Sequence, residues 1–342
     1  MNKRFLIRLA SAVLFAGLTF AGLATIQVFS GGATPEIDPR LFNFSALLAI
    51  FSLLVVYFAS DGLRLYFVLR TLGERVPLRD IIPLVFINIF FSNITPMATG
   101  GGFAQMLYLQ RVGVSIGSAA AATSIRTILA MLVIFTAAPT FQLLFANEPS
   151  ANNFSDKITQ SLSVIIALYL VGFLILLFQP TRIASLIKRA LRGLSWLGLL
   201  GAERRDRWGA HVGDATAGFS NGFRIFLSGQ PIYVALSILF TVFFLLALFS
   251  FPALLMTLLD YDVDWLAVMG TLSVVTFLMY FAPSPGGAGF SELAFAGLMA
   301  GQIAPEHLVL IVLAWRVLTT YLGVAIGGLV TMNAVKTEVL RK

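Results

Sequence analysis

The chain has 342 residues, of which 58% are hydrophobic and only 11% are charged, and its mean hydropathy is +0.90. A soluble domain carries about 25% charged residues, so this composition excludes an ordinary soluble enzyme and, despite a net charge of +7, a nucleic-acid-binding domain. The absence of cysteine excludes disulfides and thiolate metal sites, and two histidines are too few for a His-rich metal site. We therefore predict an all-α polytopic membrane protein with no metal and no cofactor.

Apolar stretches of about 20 residues can cross the hydrocarbon core of a membrane. Six stretches are predicted to do so: 5–29, 43–67, 117–146, 158–179, 231–259 and 305–335. The first has a basic front like that of a signal peptide, but its apolar run exceeds the usual 7–15 residues, which predicts a retained span. Two further apolar stretches, 81–111 and 265–302, are interrupted near their middles by proline and glycine.

The distribution of Lys and Arg predicts the topology, because cytoplasmic loops are enriched in these residues. If the N-terminus is cytoplasmic and both interrupted stretches return to the side they entered from, only Arg40 and Lys157 of the 23 basic residues lie outside. Arg126 and Arg316 then fall within spans. A full crossing by either interrupted stretch would reverse every later loop. The charge bias therefore predicts two re-entrant segments, with both termini on the cytoplasmic side of the bacterial cytoplasmic membrane.

The basic segment 180–230 is predicted to be cytoplasmic. Its first part, 180–200, has apolar residues at helical spacing with basic residues mostly between them. This pattern is typical of an interfacial helix that lies on the anionic lipids of the inner leaflet. The alternative is a basic loop that packs on the helix bundle.

The two interrupted stretches resemble each other. The first contains TPMATGGGFAQ and the second SPGGAGFSE, and each is followed by a span with one arginine inside it. Aligning them sets Gln105 on Glu292, and the predicted topology makes the two halves inverted in the membrane. Inverted repeats with broken helices are typical of secondary transporters. We predict one membrane domain over 1–342, with repeat cores at 81–146 and 265–335; the alternative is two kinks or tight glycine contacts.

An arginine inside a span costs about 2.5–3.5 kcal/mol on insertion scales, so it marks a functional site by default. Helix N-termini after the breaks also favour an anion. We therefore predict a phosphate-type ligand bound by Arg126 and Arg316, with Glu292 as a switch or proton carrier. The other predicted substrate-binding residues lie in or near the two breaks: Asn93, Gly101, Gly102, Gln105, Ser284, Gly286, Gly287 and Gly289.

Two structural interpretations compete with this site. Arg316 and Glu292 would form a buried ion pair that locks the two repeats together. Asp61 and Arg64, one helical turn apart near a span end, are expected to form a local pair at the membrane interface.

The motif around the second break resembles the flippase-like membrane domain of the lysylphosphatidylglycerol synthase family. That family's pattern, roughly P-x-P-G-G-x-G-x-x-E, is met by Pro283, Pro285, Gly286, Gly287, Gly289 and Glu292. The first half fits through Pro96, Gly100–Gly102 and Arg126, although the family often has an acidic residue where this chain has Gln105. The resemblance implies a stand-alone member without the soluble aminoacyltransferase domain.

By this resemblance, the chain is expected to be a flippase that moves a phospholipid or other lipid-linked anion across the membrane by alternating access. Two alternatives stay open. One is an intramembrane lipid-modifying enzyme, for which the sequence offers no catalytic constellation. The other is a scaffold of an envelope-lipid pathway, with 180–230 as the docking surface for a partner enzyme.

Overall fold

A computed structural model describes residues 37–95, 99–145, 180–196, 224–282, 284–299 and 302–339, with single positions at 17, 168, 171, 175, 201, 203, 206–208 and 210. Within these residues the regular elements are helical and no β-strand forms. A short 3₁₀ turn spans Pro39–Phe42. The helices are α1 Phe44–Thr71, α2 Leu78–Asn93, α3 Thr99–Arg111, α4 Ile116–Phe145, α5 Pro180–Trp196, α6 Pro231–Leu258, α7 Trp265–Met279, α8 Phe290–Met299, α9 Pro305–Arg316 and α10 Leu322–Val339.

Four helical stretches of the described residues are long and apolar enough to cross a membrane: Phe44–Thr71, Ile116–Ala138, Pro231–Leu258 and Pro305–Asn333. They correspond to four of the six predicted spans. The other two, 5–29 and 158–179, lie outside the described residues except at single positions, as does most of the basic segment beyond Trp196. The prediction of an all-helical membrane protein is confirmed, whereas the span count and the re-entrant topology stay predictions.

Local sequence signals set several helix starts. The Asn43 side chain caps α1 by accepting a hydrogen bond from the Ala46 N–H at 2.8 Å, and Asp264 caps α7 by accepting from Leu266 and Ala267. Both residues satisfy backbone donors that have no partner within the helix. Helices α6 and α9 instead begin with proline, whose fixed φ suits the first helical position.

The first interrupted stretch folds back on itself as the antiparallel pair α2 and α3. Gly100 lies against the Phe91 carbonyl, Gly101 against Ser92, and further along Gln105 Nε2 donates to the Leu84 carbonyl at 3.0 Å. A Cβ on Gly101 would overlap the Ser92 hydroxyl. The glycines after the break therefore allow α3 to pack directly on α2.

The second interrupted stretch also forms two short helices, α7 and α8. Gly286, Gly287 and Gly289 in the turn before α8 have φ values of +58°, +67° and +80°. An L-residue is strained in this left-handed region, which explains why glycine is needed there. A Cβ on Gly286 would overlap the Asn93 side chain. The tips of the two pairs thus meet at this contact.

The last span is one apolar stretch with a wide turn inside it. Helices α9 and α10 are joined by the π-helical turn Val317–Tyr321, in which the Leu322 N–H donates to the carbonyl of Val317, five residues earlier. Beyond this turn, α10 packs closely on α2, with Gly323 against Ile89 and Gly327 against the Phe86 carbonyl. The final span therefore contacts the first helical pair.

The described side chains of α5 are compatible with both interpretations of its role. Leu186, Ile187, Arg189 and Arg192 are exposed, whereas Leu191 is buried. The interfacial position of this helix stays a prediction.

Candidate functional site

Charged side chains are rarely buried unless they are paired. Within the described part of the chain, five are buried: Asp61, Arg64, Arg126, Glu292 and Arg316. They form two clusters. We call Asp61, Arg64, Arg126 and Gln105 the first cluster, and Glu292, Arg316, Ser291 and Thr320 the second cluster.

In the first cluster, one carboxylate serves two guanidinium groups. Asp61 Oδ1 accepts from Arg64 Nε at 2.6 Å and from Arg126 Nη2 at 2.6 Å, and Nη2 also lies 2.9 Å from Oδ2. Asp61 and Arg64 are on α1 and Arg126 is on α4, so the pairing joins two spans. The three side chains together carry one uncompensated positive charge.

Two neutral amides complete the surroundings of Arg126. Gln105 Oε1 accepts from Arg126 Nη1 at 3.0 Å, while Gln105 Nε2 donates to the Leu84 carbonyl. In the amide orientation that satisfies its neighbours, Asn88 Oδ1 accepts from Nη1 and Nη2 of Arg126 at 3.2 and 3.3 Å. The amides orient the guanidinium group without reducing its charge.

The second cluster is balanced. Arg316 Nε lies 2.8 Å from Glu292 Oε1, and the Ser291 hydroxyl donates to Glu292 Oε2 at 2.8 Å. Arg316 Nη1 donates to Oγ1 of Thr320, within the π-helical turn, at 3.2 Å. Glu292 is fully buried, and Arg316 is 2% exposed. This cluster is therefore a closed one-to-one ion pair.

A cavity of about 200 Å³ lies between the two clusters. Arg64, Arg126 and Arg316 all line it, and Asp61 is the one carboxylate among the described residues that do so. Apolar walls come from Ile89, Leu248 and Met279, and from Phe244, whose ring lies 3.8 Å from the Arg64 guanidinium carbon. The two arginines predicted from the repeats therefore share one cavity.

In the part of the chain that the structure describes, several buried hydrogen-bond donors of the cavity residues lack an acceptor. Arg64 Nη1, Arg126 Nε and the indole Nε1 of Trp315 are buried and have no hydrogen-bond partner among the described residues. A buried donor without an acceptor costs about 1–3 kcal/mol. A ligand rich in acceptor oxygens would satisfy such groups, and an anion would also offset the positive charge.

Several predicted site residues line the cavity, and others contact the residues that line it. Asn93, Arg126 and Arg316 line the cavity. Gln105 holds Arg126 and Glu292 holds Arg316, although neither lines the cavity itself. The remaining predicted residues lie in the breaks, outside the cavity lining: Gly101, Gly102, Ser284, Gly286, Gly287 and Gly289.

Two structural expectations need correction. Asp61 and Arg64 do form a local pair, but they are 2% and 5% exposed and line the cavity, so the pair belongs to the protein interior. The Glu292–Arg316 pair is also present, yet both residues belong to the second repeat core, so it does not lock the two repeats together.

Sequence reasoning missed Asp61, Arg64 and Trp315 as cavity residues. Asp61 is the eighteenth residue of a 28-residue apolar helix, which is too deep for a span end. Its position inside the span became clear only because α1 continues to Thr71, ten residues beyond Asp61. The indole of Trp315 gave no signal, because it belongs to neither of the two motifs around the breaks.

The fold and the site together define an integral membrane protein whose short helical pairs meet at a charged cavity inside the bundle. The chain belongs to the family described as the lysylphosphatidylglycerol synthase TM region, whose model matches residues 5–327. It is also similar to a UPF0104 membrane protein of Archaeoglobus fulgidus, with 22% identity over 307 residues that cover 87% of this chain and 90% of that protein.

Proposed function

We propose that the protein is a lipid flippase that moves an anionic or phosphate-linked lipid head group across the membrane. The observation that carries this proposal is the cavity lined by three arginines, where one carboxylate is shared by two of them. Family membership supports a lipid-related role, because the family is described by the synthesis of a phospholipid derivative.

The charge of the site favours an anion. The five buried charged residues of the described chain comprise three arginines and two carboxylates, which leaves one net positive charge. At an effective dielectric constant of about 20, two unit charges 4 Å apart attract by about 4 kcal/mol. A phosphate group also offers acceptor oxygens to Arg64, Arg126 and Trp315, whose unpartnered N–H groups lie in side chains that line the cavity.

The apolar part of the cavity suits a lipid better than a free ion. Leu248, Met279 and Phe244 contribute walls beside the arginines. We propose that the phosphate binds between the two clusters while the acyl chains stay in the bilayer. The two helical pairs, re-entrant and inverted in this proposal, would rock to open the cavity to each side in turn.

Reconstitution in lipid vesicles tests the proposal. Fluorescent phosphatidylglycerol is placed in both leaflets, and the fraction accessible to an external quencher is followed with time. Arg126→Gln and Arg316→Gln are each expected to slow movement at least tenfold, because each removes a guanidinium group from the cavity. Arg207→Gln is the matched control, since Arg207 is exposed, pairs with Glu203 and lies outside the cavity lining.

Three outcomes separate the candidate functions. Unchanged movement in both cavity variants would contradict the proposal. Conversion of the lipid to a new product without movement would favour a lipid-modifying enzyme. If the wild-type protein neither moves nor converts the lipid but retains a partner through the basic segment 180–230, the scaffold function is favoured instead.

A further inference from the structure

Gln105 occupies a position that decides the charge of the cavity. It is 1% exposed, and its amide bridges Arg126 Nη1 and the Leu84 carbonyl. In the internal repeat it corresponds to Glu292, which neutralises Arg316 in the second cluster. The first cluster has no such second carboxylate. A glutamate at position 105 would have nearly the same shape as glutamine. Together with the five buried charged residues, it would bring the net charge of the buried groups to zero.

We infer that the neutral Gln105 is a specificity-determining residue that makes the cavity select anionic lipid head groups and reject head groups that carry ammonium groups. This inference rests on the proposed function and names the substrate class within it. The lipid to be selected has a phosphate and an uncharged remainder, as in phosphatidylglycerol. The lipid to be rejected is its lysyl ester, whose added amino groups make the head group cationic.

Among the described residues, the carboxylates near the cavity are already paired with arginines and offer no free partner for an ammonium group. Both oxygens of Asp61 lie within 2.9 Å of Arg126 Nη2, and Oδ1 also accepts from Arg64. Glu292 lies behind Arg316, fully buried and already bonded to Ser291. An ammonium group in the cavity would therefore face three guanidinium groups without a carboxylate of its own. Like charges at such short range oppose binding strongly.

The donor groups of the cavity favour a phosphate. The unpartnered atoms of the cavity residues Arg64, Arg126 and Trp315 are all N–H donors. An ammonium group is also a donor only, so it cannot satisfy any of them. A phosphate with hydroxyl groups supplies acceptors to each. The unpartnered donors thus favour binding of the phosphate, which all these lipids carry, and the selection against ammonium follows from charge.

Binding can be measured separately from movement, so that the two proposals are tested independently. The purified full-length protein in detergent is titrated with phosphatidylglycerol, lysyl-phosphatidylglycerol and phosphatidylcholine, and bound lipid is counted by native mass spectrometry. The wild-type protein is expected to bind phosphatidylglycerol at least tenfold more tightly than the lysyl ester. Gln105→Glu is expected to bring this ratio close to one, chiefly through weaker binding of phosphatidylglycerol.

Two variants keep the test decisive. Gln110→Glu adds the same charge to α3, outside the cavity lining, and is expected to leave the ratio unchanged. If Gln105→Glu does not fold, Arg64→Gln reaches the same net charge from the other side of Asp61 and is expected to shift the ratio in the same direction.

Equal or tighter binding of the lysyl ester by the wild-type protein would overturn the inference. An unchanged ratio in a folded Gln105→Glu or Arg64→Gln variant would overturn it as well. If phosphatidylglycerol binds selectively but never crosses the vesicle membrane, the flippase proposal fails while the selectivity of the site stands.

Discussion

The two buried clusters use the same kinds of groups in different proportions. In the second cluster, Glu292 neutralises Arg316 one to one and accepts a hydrogen bond from Ser291. In the first, Asp61 is divided between Arg64 and Arg126, and the position matched to Glu292 is the neutral Gln105. Both clusters adjoin one cavity, yet the surplus positive charge lies in the first. The two clusters therefore differ in charge balance at a cavity that both adjoin.

This difference has an energetic meaning. A buried ion pair roughly balances its own desolvation, whereas a buried charge that loses its partner is strongly destabilising. The second cluster can therefore be read as structural support for Arg316. The first cluster has an incomplete partner set, and an anionic ligand would complete it.

The largest effect is expected for Asp61→Asn. Removing this charge leaves Arg64 and Arg126 buried without a carboxylate, and breaking a buried pair costs about 3–5 kcal/mol. Denaturant or thermal unfolding in detergent measures the loss. Because a ligand anion would replace the missing charge, added phosphatidylglycerol is expected to restore stability more in this variant than in wild type. A variant as stable as wild type would contradict the assignment of Asp61 as the shared counterion.

A smaller loss is expected for Glu292→Gln. The change leaves one buried guanidinium group without a carboxylate instead of two, so the loss is expected at the lower end of about 3–5 kcal/mol. The same unfolding assay applies. If Glu292→Gln lowered the free energy of unfolding more than Asp61→Asn does, the surplus positive charge would not lie in the first cluster as described. The double variant with Arg316→Met removes both charges and is expected to be more stable than Glu292→Gln alone.

The glycines of the first break provide a matched pair. Gly101→Ala places a methyl group onto the Ser92 hydroxyl and the Asn88 side chain, and overpacking of this kind costs about 1–3 kcal/mol. Gly102→Ala meets nothing closer than Thr123 Cβ at 4.0 Å, and alanine in a helix is favoured by about 0.5–1 kcal/mol over glycine. The two variants should therefore change the unfolding midpoint in opposite directions. Equal shifts would show that α3 does not pack on α2 as described.

The smallest effect concerns a half-buried ion pair beside the start of α1. Hydrogen bonds from the Arg40 side chain and N–H lower the pKa of Asp38 to about 2, and Arg40 also donates to the Leu259 carbonyl. Because the folded pKa is depressed, the stabilisation is present above the unfolded value of about 3.9 and is lost as the pH falls toward 2.

Thermal unfolding of wild type and Asp38→Asn across this pH range measures the effect. The difference between their midpoints should be small but constant from pH 5 to 7 and should fall to a small fraction of that value by pH 2. A difference at pH 2 as large as that at pH 7 would mean that Asp38 acts through something other than its charge.

The sequence predicted much of the architecture because membrane burial leaves a strong pattern. Long apolar runs predicted the helices α1, α4, α6 and α9–α10, and proline with glycine marked the two breaks correctly. These signals are local, since a span needs only length and hydropathy. The pairing of α2 with α3 was also accessible, because the glycines needed for close packing follow the break directly.

The partners of the buried charges were not accessible from local patterns. The repeats drew attention to Arg126, but its carboxylate partner Asp61 lies 65 residues earlier on another helix. Arg64 could not be placed either, since an arginine near the end of an apolar run fits a cytoplasmic loop equally well. Such contacts depend on how helices cross in space, which the spacing along one helix does not determine.

The π-helical turn Val317–Tyr321 has a consequence for the phase of the last span. A π turn accommodates one extra residue in an α-helix, and each residue of an α-helix turns the chain by about 100°. If the same residues were wound as a regular α-helix, the extra residue would rotate α10 relative to α9 by about that angle. The seam of Gly323 and Gly327 would then no longer face α2. The extra residue in the π turn thus allows Arg316 of α9 to line the cavity while α10 still packs on α2.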